Sequence, residues 1–526
     1  VVAKATRRHP IEVNKYNNLK NSRKPCIALE CLHWFKNTKP QKAVIKMHLL
    51  EQFSSLDKNE KVISAIQGWR GRAALFVLCV LLFSVESADL FKAVLLLGLA
   101  FSFAYIPRHQ DLVLLVFTQA LGVYRIVNSS NYFNNDVGKV MAQEHAVGLA
   151  AWEISLFTYV VYILLAWLAL VYVRRNPQSF AARQPVWVLL GLALALLIAS
   201  SGGLLHGMAR VLVWSFLVTY CAYIWFLAYA LLDQGAKARS PDIVQLGMLH
   251  PFWGSTTLPY GKGAALLRKA RANSAQALAV TQIKGFKLLV WAICLYGLDA
   301  LLSYFFETVL QVRSVESEIS TYLAHEPSTR PRLILSLIWS QLDFALWFGL
   351  WGHMVIATAR LAGIRLPRST WRPLEARTMM DYFNRILYYF KELMVDLFFT
   401  PSFLRYFKKH PRLRMFFATF MAAGVGNMIY HFLRDIDLAA EMGLVELFSS
   451  FSSYAFYSVV LACAIGISQL RISAGFRPSD TVSGRIKAFV LIWGFVSLLQ
   501  IFGDETRSHT LAERLQFMFY LFGIPQ

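Results

Sequence analysis

The side chain best suited to chemistry in this chain is an imidazole set where a membrane helix should be apolar. His431 stands in GNMIYHFLRD (426–435), at the end of an apolar run that begins at Met415. A free histidine titrates near pH 6.5, so its neutral ring can take a proton from a hydroxyl near neutrality. Asn427 and Tyr430 beside it, and Asn384 upstream, are donors of the kind that steady a developing oxyanion. Asp381 and Arg385 lie four apart, and Asp396 precedes the break PSF at 401–403. Each has a plainer reading. A histidine in an apolar run is often a satisfied core side chain, asparagine also caps and bonds locally, and residues four apart form helix-surface ion pairs.

The elements that must position these residues are membrane helices. The chain has 526 residues, 56% hydrophobic, 14% aromatic and 16% charged, against about 25% charged in an ordinary soluble domain. The apolar residues fall in blocks near the roughly 20 residues a bilayer requires. Twelve are visible, at 73–85, 90–106, 112–127, 147–173, 185–200, 204–232, 286–310, 333–361, 415–433, 444–470, 486–502 and 511–524. Several are short, so ten to thirteen hydrophobic helices are expected. Leu- and Ala-rich runs without period-two alternation favour helices over a barrel. The expected fold is an all-α polytopic membrane protein, its helices around a central tunnel with interfacial or re-entrant helices. Residues 71–526 form one membrane domain. Residues 1–70 form a polar, basic extension expected in the cytoplasm, with no charged-then-apolar leader at Val1.

The net charge of +22 could signal a nucleic-acid partner, but its distribution argues otherwise. Basic residues cluster between spans, at 174–185, 262–271, 365–377 and 405–414, as cytoplasmic loops do. Such patches also attract anionic lipid headgroups. The loops 307–320, 435–441 and 503–509 are acidic by comparison. With 365–377 and 405–414 on one side, the charged segment 381–401 should not cross outright. It reads as an amphipathic helix at the interface or dipping into the protein. Cys79, Cys221, Cys294 and Cys463 are isolated in apolar spans, and Cys26 and Cys31 lie in the extension; no CxxC pair suggests zinc or thiol redox, so no bound metal is expected. His206, Glu153, Asp299, Asp343 and His353 also lie in or near spans, and His353 is the second candidate because its segment directly precedes 363–432.

Taken as one unit, 363–432 is similar to the core motif region of the membrane-bound O-acyltransferase (MBOAT) family, most of all its bacterial branch that acylates surface polymers. Gly363, Leu366 and Pro367 fit a Gly-x-x-Leu-Pro lead, and Pro373 and Ala376 the next element. Asp381, Tyr382 and Phe383 take the Asp-aromatic-aromatic positions, followed by Arg385, Asp396 and Pro401. Tyr430-His431 stands where the family has Trp-His. One position departs: Leu387 occupies the place of a His or Asn, and Asn384 is the nearest polar substitute.

The resemblance implies acyl transfer from a thioester to a hydroxyl, with His431 as general base and Asn384 beside it. Asp381, Arg385, Asp396, Tyr430, Asn427 and His353 would bind substrate or hold the site. The implied co-substrate is acyl-CoA or an acyl-carrier thioester entering from the cytoplasm, with Arg365, Arg368, Arg372 and Lys408 at its mouth. The acceptor, a polysaccharide, lipid or other hydroxyl compound, or a partner acyltransferase, would meet it from the other face. No bound cofactor is implied, and the membrane would be a bacterial inner membrane. Leu387 leaves open a non-catalytic relative. A transporter or a lipid-linked glycan enzyme is the remaining alternative, though neither paired broken helices nor an internal repeat stands out.

Overall fold

A computed structural model describes residues 51–526 apart from 88, 129–131, 202, 237–238, 255–257, 327, 504–507 and 525–526. Most of the N-terminal extension, with Cys26 and Cys31, therefore lies outside the described residues. Residues 51–59 belong to a first unit that ends in the short turn Leu56–Lys58. The second unit, Glu60–Gln526, carries the membrane helices and the histidine.

Among the described residues the fold is all helical, with one isolated bridge between Arg271 and Ile364. Eight helices among the described residues are long and apolar enough to cross a bilayer: α1 (Pro107–Val127), α2 (Ala151–Arg175), α3 (Gly207–Gln234), α4 (Ala275–Val309), α5 (Arg330–Leu361), α6 (Pro411–Arg434), α7 (Ser452–Ser473) and α8 (Val482–Phe502). The chain is thus a multi-pass integral membrane protein. A ninth crossing is available to the pair Glu60–Gln67 and Trp69–Glu86, bent by 97°. Gly71 permits that bend, because a Cβ there would lie 2.1 Å from the Ala65 carbonyl oxygen. Leu90–Tyr105 and Pro185–Ser201 are apolar but shorter. The run 444–470 divides into Leu444–Ser450 and α7, and 511–524 supplies only the twelve-residue helix Leu511–Phe522, too short to span.

The loops sort into two ends as their charges do. At the basic end, Arg268 donates to the Arg239 carbonyl (3.2 Å), Arg239 to that of Arg174 (3.4 Å), and the Arg365 amide to that of Ala270 (2.8 Å). At the other end Val315–Leu323 packs on Leu511–Phe522 in a shared apolar cluster. There the guanidinium of Arg514, fully buried, donates to both carboxylate oxygens of Glu316 (3.0 and 2.7 Å). α4 and α5 run side by side between the two ends. Gly285 lets them approach, since a Cβ there would lie 3.0 Å from the Ala357 carbonyl oxygen, the small-residue contact that helices in lipid favour.

Between α5 and α6 the chain runs through four short pieces: Met379–Ile386, Tyr388–Met394, the π-helical turn Val395–Phe399 and Thr400–Arg405. None of these is among the helices long and apolar enough to cross, in keeping with the charge of 381–401.

The Glu316–Arg514 pair gives a stability test. Breaking one side of a buried pair strands the other charge, and Glu316 is partly exposed, so Glu316→Gln should cost about 2 kcal/mol. Adding Arg514→Met should recover part of that loss. Thermal unfolding in detergent decides it: a midpoint unchanged by Glu316→Gln would show that the pair carries no stability.

Candidate functional site

The helix Met379–Ile386 starts and stops for local reasons. The Thr378 hydroxyl caps it by accepting from the Asp381 amide (3.1 Å). Asp381 then accepts from the Arg377 amide (3.2 Å) and from Arg385 Nε (2.8 Å). Asp381 and Arg385 therefore brace the first turns of this helix, the ion pair their spacing suggested. Tyr382 and Ile386 face inward, and the Tyr382 hydroxyl accepts from Gln341 of α5 (2.9 Å).

The helix ends at Leu387 (φ −129°, ψ 54°). The preceding loop satisfies the broken ladder. Trp371 N–H donates to the Arg385 carbonyl (2.7 Å), the Thr370 hydroxyl to that of Ile386 (2.9 Å), and Tyr388 N–H to that of Ser369 (3.1 Å). Leu387 packs on an apolar cluster that includes Tyr382, Ile386, Trp493 and Val496. The chain resumes as Tyr388–Met394 and carries Phe390 to the histidine.

α6 is itself interrupted by a π-helical turn at Met421–Gly426, just before Asn427–Arg434. Gly426 makes room there, as a Cβ would stand 2.7 Å from the Phe398 ring and 3.1 Å from Met394 Sδ. Beyond this turn His431 is lined by rings: Tyr454 of α7 at 4.4 Å between centroids, Tyr430 at 5.3 Å and Phe390 at 6.1 Å. Tyr430 stacks on Trp225 of α3 (6.1 Å, 19° between planes) and takes the edge of Phe390 (4.8 Å). Asn427 is buried and accepts from the Tyr454 hydroxyl (3.3 Å). Trp225 lies nine residues short of the α3 end at Gln234, about 14 Å along its axis, so the box is well inside the bundle.

One turn along α3 from Trp225, the Tyr229 hydroxyl donates to Asp396 (3.0 Å). Lys262 reaches the same carboxylate (3.0 Å) and also contacts Glu392, which Lys391 contacts from the other side. Lys262 arrives on a turn in which Gly261, Lys262 and Gly263 all have positive φ (119°, 51° and 78°). Gly263 is required by proximity as well, since a Cβ there would sit 3.1 Å from Tyr229 Cβ. Burial works against charge at Glu392, yet hydrogen bonds from Lys262 and Lys391 hold its carboxyl below the usual range. Burial likewise lowers the Lys262 amine, and Asp396 and Glu392 outweigh it and raise it. Sequence reasoning missed Lys262, which lay in a basic loop. Its signal was the GKG turn at 261–263.

The remaining candidates are placed elsewhere. His353 is buried in α5 and donates from Nδ1 to the Gly349 carbonyl (2.5 Å). It sits beside the loop that holds the Leu387 break, for a Cβ on Gly352 would meet Ser369 at 2.8 Å. Asn384 is half-buried on Met379–Ile386, before the break, whereas the contact from this segment to His431 comes from Phe390, after it. Glu153 caps α2 by accepting from the Ala150 amide (2.7 Å), and Asp299 of α4 hydrogen-bonds Asp343 of α5. The arrangement joins His431, Tyr430 and Asn427 in one aromatic box, ties Asp396 to it through α3, and leaves Asp381, Arg385 and His353 as supports. An imidazole set among rings has the chemistry to exchange a proton with a hydroxyl near neutrality.

No protein-family model matches the chain, and comparison with curated proteins finds no match.

The turn Ile436–Leu438, which follows the histidine helix, carries a titratable group of its own. Burial, then repulsion from Asp136 and Asp435, pushes the Asp437 carboxyl up to about 6 from 3.8. A carboxyl raised on folding favours the protonated state, so stability falls as pH climbs from 3.8 through about 6 and stays reduced above it. Asp437→Asn should therefore stabilise the protein at pH 7.5 by about 1–2 kcal/mol, after allowing for partial exposure, with little effect at pH 4. Unfolding midpoints in detergent at the two pH values test this, and equal effects at both would contradict it.

Proposed function

We propose that the chain is a membrane O-acyltransferase in which His431 is the general base that takes the proton of an acceptor hydroxyl as it attacks an acyl thioester. The observation that carries this reading is the convergence of two separate parts of the 363–432 pattern. The Tyr430-His431 pair ends α6 deep in the bundle, and the broken segment folds back to set Phe390 against both rings. Asn427 and Tyr430 share the helix that carries the imidazole and are assigned to the oxyanion. The donor is acyl-CoA or an acyl-carrier thioester reaching the basic end of the bundle, and the acceptor approaches from the opposite end. Bacterial inner-membrane placement and a partner acyltransferase on the far side follow the same resemblance.

A second reading rests on Leu387. It packs on the apolar cluster that includes Trp493 and Val496, so an apolar side chain stands where the resembled family carries a polar partner. In that case the chain is a non-catalytic relative that binds or scaffolds. His431→Ala separates the two, with the chain expressed in a host that supplies thioester donor and O-acylated product quantified in extracts. Loss of a general base should lower product formation by about 10²- to 10⁴-fold. Product at the wild-type level in the variant would remove His431 from catalysis, and no product from the wild-type chain with any hydroxyl acceptor would favour the second reading.

A further inference from the structure

We propose that Arg125 and Tyr223, set among α1, α2 and α3, bind the singly charged oxyanion of a membrane-soluble ligand, a carboxylate or a phosphodiester. Arg125 stands near the end of α1 at Val127. Near the start of the same helix Asp111 pairs with Arg271 (2.7 Å), at the basic end of the bundle. The two positions on α1 are about 21 Å apart along its axis. A cation so far from the basic end runs against the charge map of the loops and calls for a counter-charge. Among the described residues Arg125 has no carboxylate partner, and its one hydrogen bond joins Nη1 to Nε2 of His250 (3.1 Å). A guanidinium only donates, so that imidazole nitrogen accepts and the ring is neutral. The contact fixes the direction of Arg125 without neutralising it.

The neighbouring polar groups are satisfied, which sets Arg125 apart. Lower on the same face of α1, Thr118 Oγ1 donates to the Gly247 carbonyl (2.9 Å) and Gln119 Nε2 to that of Leu246 (3.3 Å). These bonds fasten the short helix Asp242–Gly247 to α1. The Tyr159 hydroxyl donates to Gln119 Oε1 (2.9 Å) past Gly122, where a Cβ would stand 2.5 Å from that hydroxyl. His250 follows the short helix, is buried, and packs on Tyr223 (5.0 Å) and Phe226 (6.0 Å) of α3. Tyr223 packs in turn on Tyr159 (6.1 Å) and Tyr162 (5.5 Å). Arg125 and Tyr223 are close enough for their charges to interact, and the Tyr223 hydroxyl makes no hydrogen bond among the described residues. A guanidinium and a hydroxyl without acceptors suit an oxyanion. One positive charge matches a monoanion, whereas a dianionic phosphate monoester would leave a charge unpaired among aromatic rings. Those rings also require the rest of the ligand to be apolar.

Ligand titrations of the full chain in mild detergent, read as shifts of the unfolding midpoint, test this without any catalytic assay. Oleate is compared with oleyl alcohol, and phosphatidylglycerol with diacylglycerol. A preference for oleate over the alcohol identifies a carboxylate, and a preference for phosphatidylglycerol over diacylglycerol identifies a phosphodiester. Arg125→Gln should weaken the preferred anion about ten- to a hundredfold, the loss expected for a charge-assisted bond. Tyr223→Phe keeps the ring packing and removes only the hydroxyl, so it should fold normally and weaken binding about two- to tenfold. It carries the test if Arg125→Gln fails to fold. Equal binding of each anion and its neutral counterpart would overturn the assignment, as would wild-type affinity in Tyr223→Phe or in a folded Arg125→Gln. Saturation of the same site by acetate or inorganic phosphate at micromolar concentration would overturn it too, by assigning Arg125 to a soluble anion.

Discussion

A helix that breaks within a packed bundle must find partners for its freed backbone groups within the protein, and the break at Leu387 is where this chain meets that demand. Ser369, Thr370 and Trp371 supply the partners. That loop can lie across the break because α5 ends at Leu361, the chain turns at Gly363 with φ 83°, and Gly352 leaves room for Ser369 against α5. With the break fixed in place and direction, Tyr388–Met394 leads back toward α6 and does not continue across the membrane. Phe390 meets His431 as a consequence, and Glu392 and Asp396 come within reach of Lys262.

α3 then serves as a common wall. Trp225 and Tyr229 are four residues apart on one face, the first stacked on Tyr430 and the second bonded to Asp396. Trp225 also meets Phe398 (5.9 Å), so the same ring touches both the broken segment and the histidine helix. The aromatic box and the charged network are therefore successive levels of one interface. Two carboxylates on a segment that folds into the bundle would be costly alone, because a buried charge left unpaired is strongly unfavourable. Lys262 answers that cost, and only a glycine-flanked turn with positive φ brings its amine close enough to α3.

Much of this frame was legible in the sequence, because span-forming runs differ so sharply in composition from the loops. The exceptions have physical causes. α4 begins at Ala275, well before the apolar run at 286, because Gln282 and Lys284 interrupt the hydropathy without interrupting the helix. Phe451 closes one short helix before α7 begins, a break that an unbroken apolar run conceals. Asn427, Tyr430 and His431 could be grouped from sequence because they share one helix and its spacing. Asn384 could not be placed, since its spacing to Leu387 assumed one continuous helix and the chain turns at that point. Lys262 was hidden for a different reason: its partners Glu392 and Asp396 are distant in sequence, and local pattern carries no record of such a pairing.

The direction of His431 depends on a second irregularity. A π-helical turn accommodates an extra residue without ending the helix, and one residue is worth about 100° of rotation. The turn Met421–Gly426 thus decides which way Asn427, Tyr430 and His431 face relative to the lower half of α6. It meets the other π-helical turn, Val395–Phe399, at the contact where Gly426 yields to the Phe398 ring. A regular α6 would keep the same apolar surface yet turn the imidazole away from Tyr454 and Phe390. Two irregular turns packed on each other are harder to keep than two straight helices, since each gives up regular hydrogen-bond geometry. Their concentration beside one histidine is the pattern expected where side-chain direction, more than burial, is what the fold preserves.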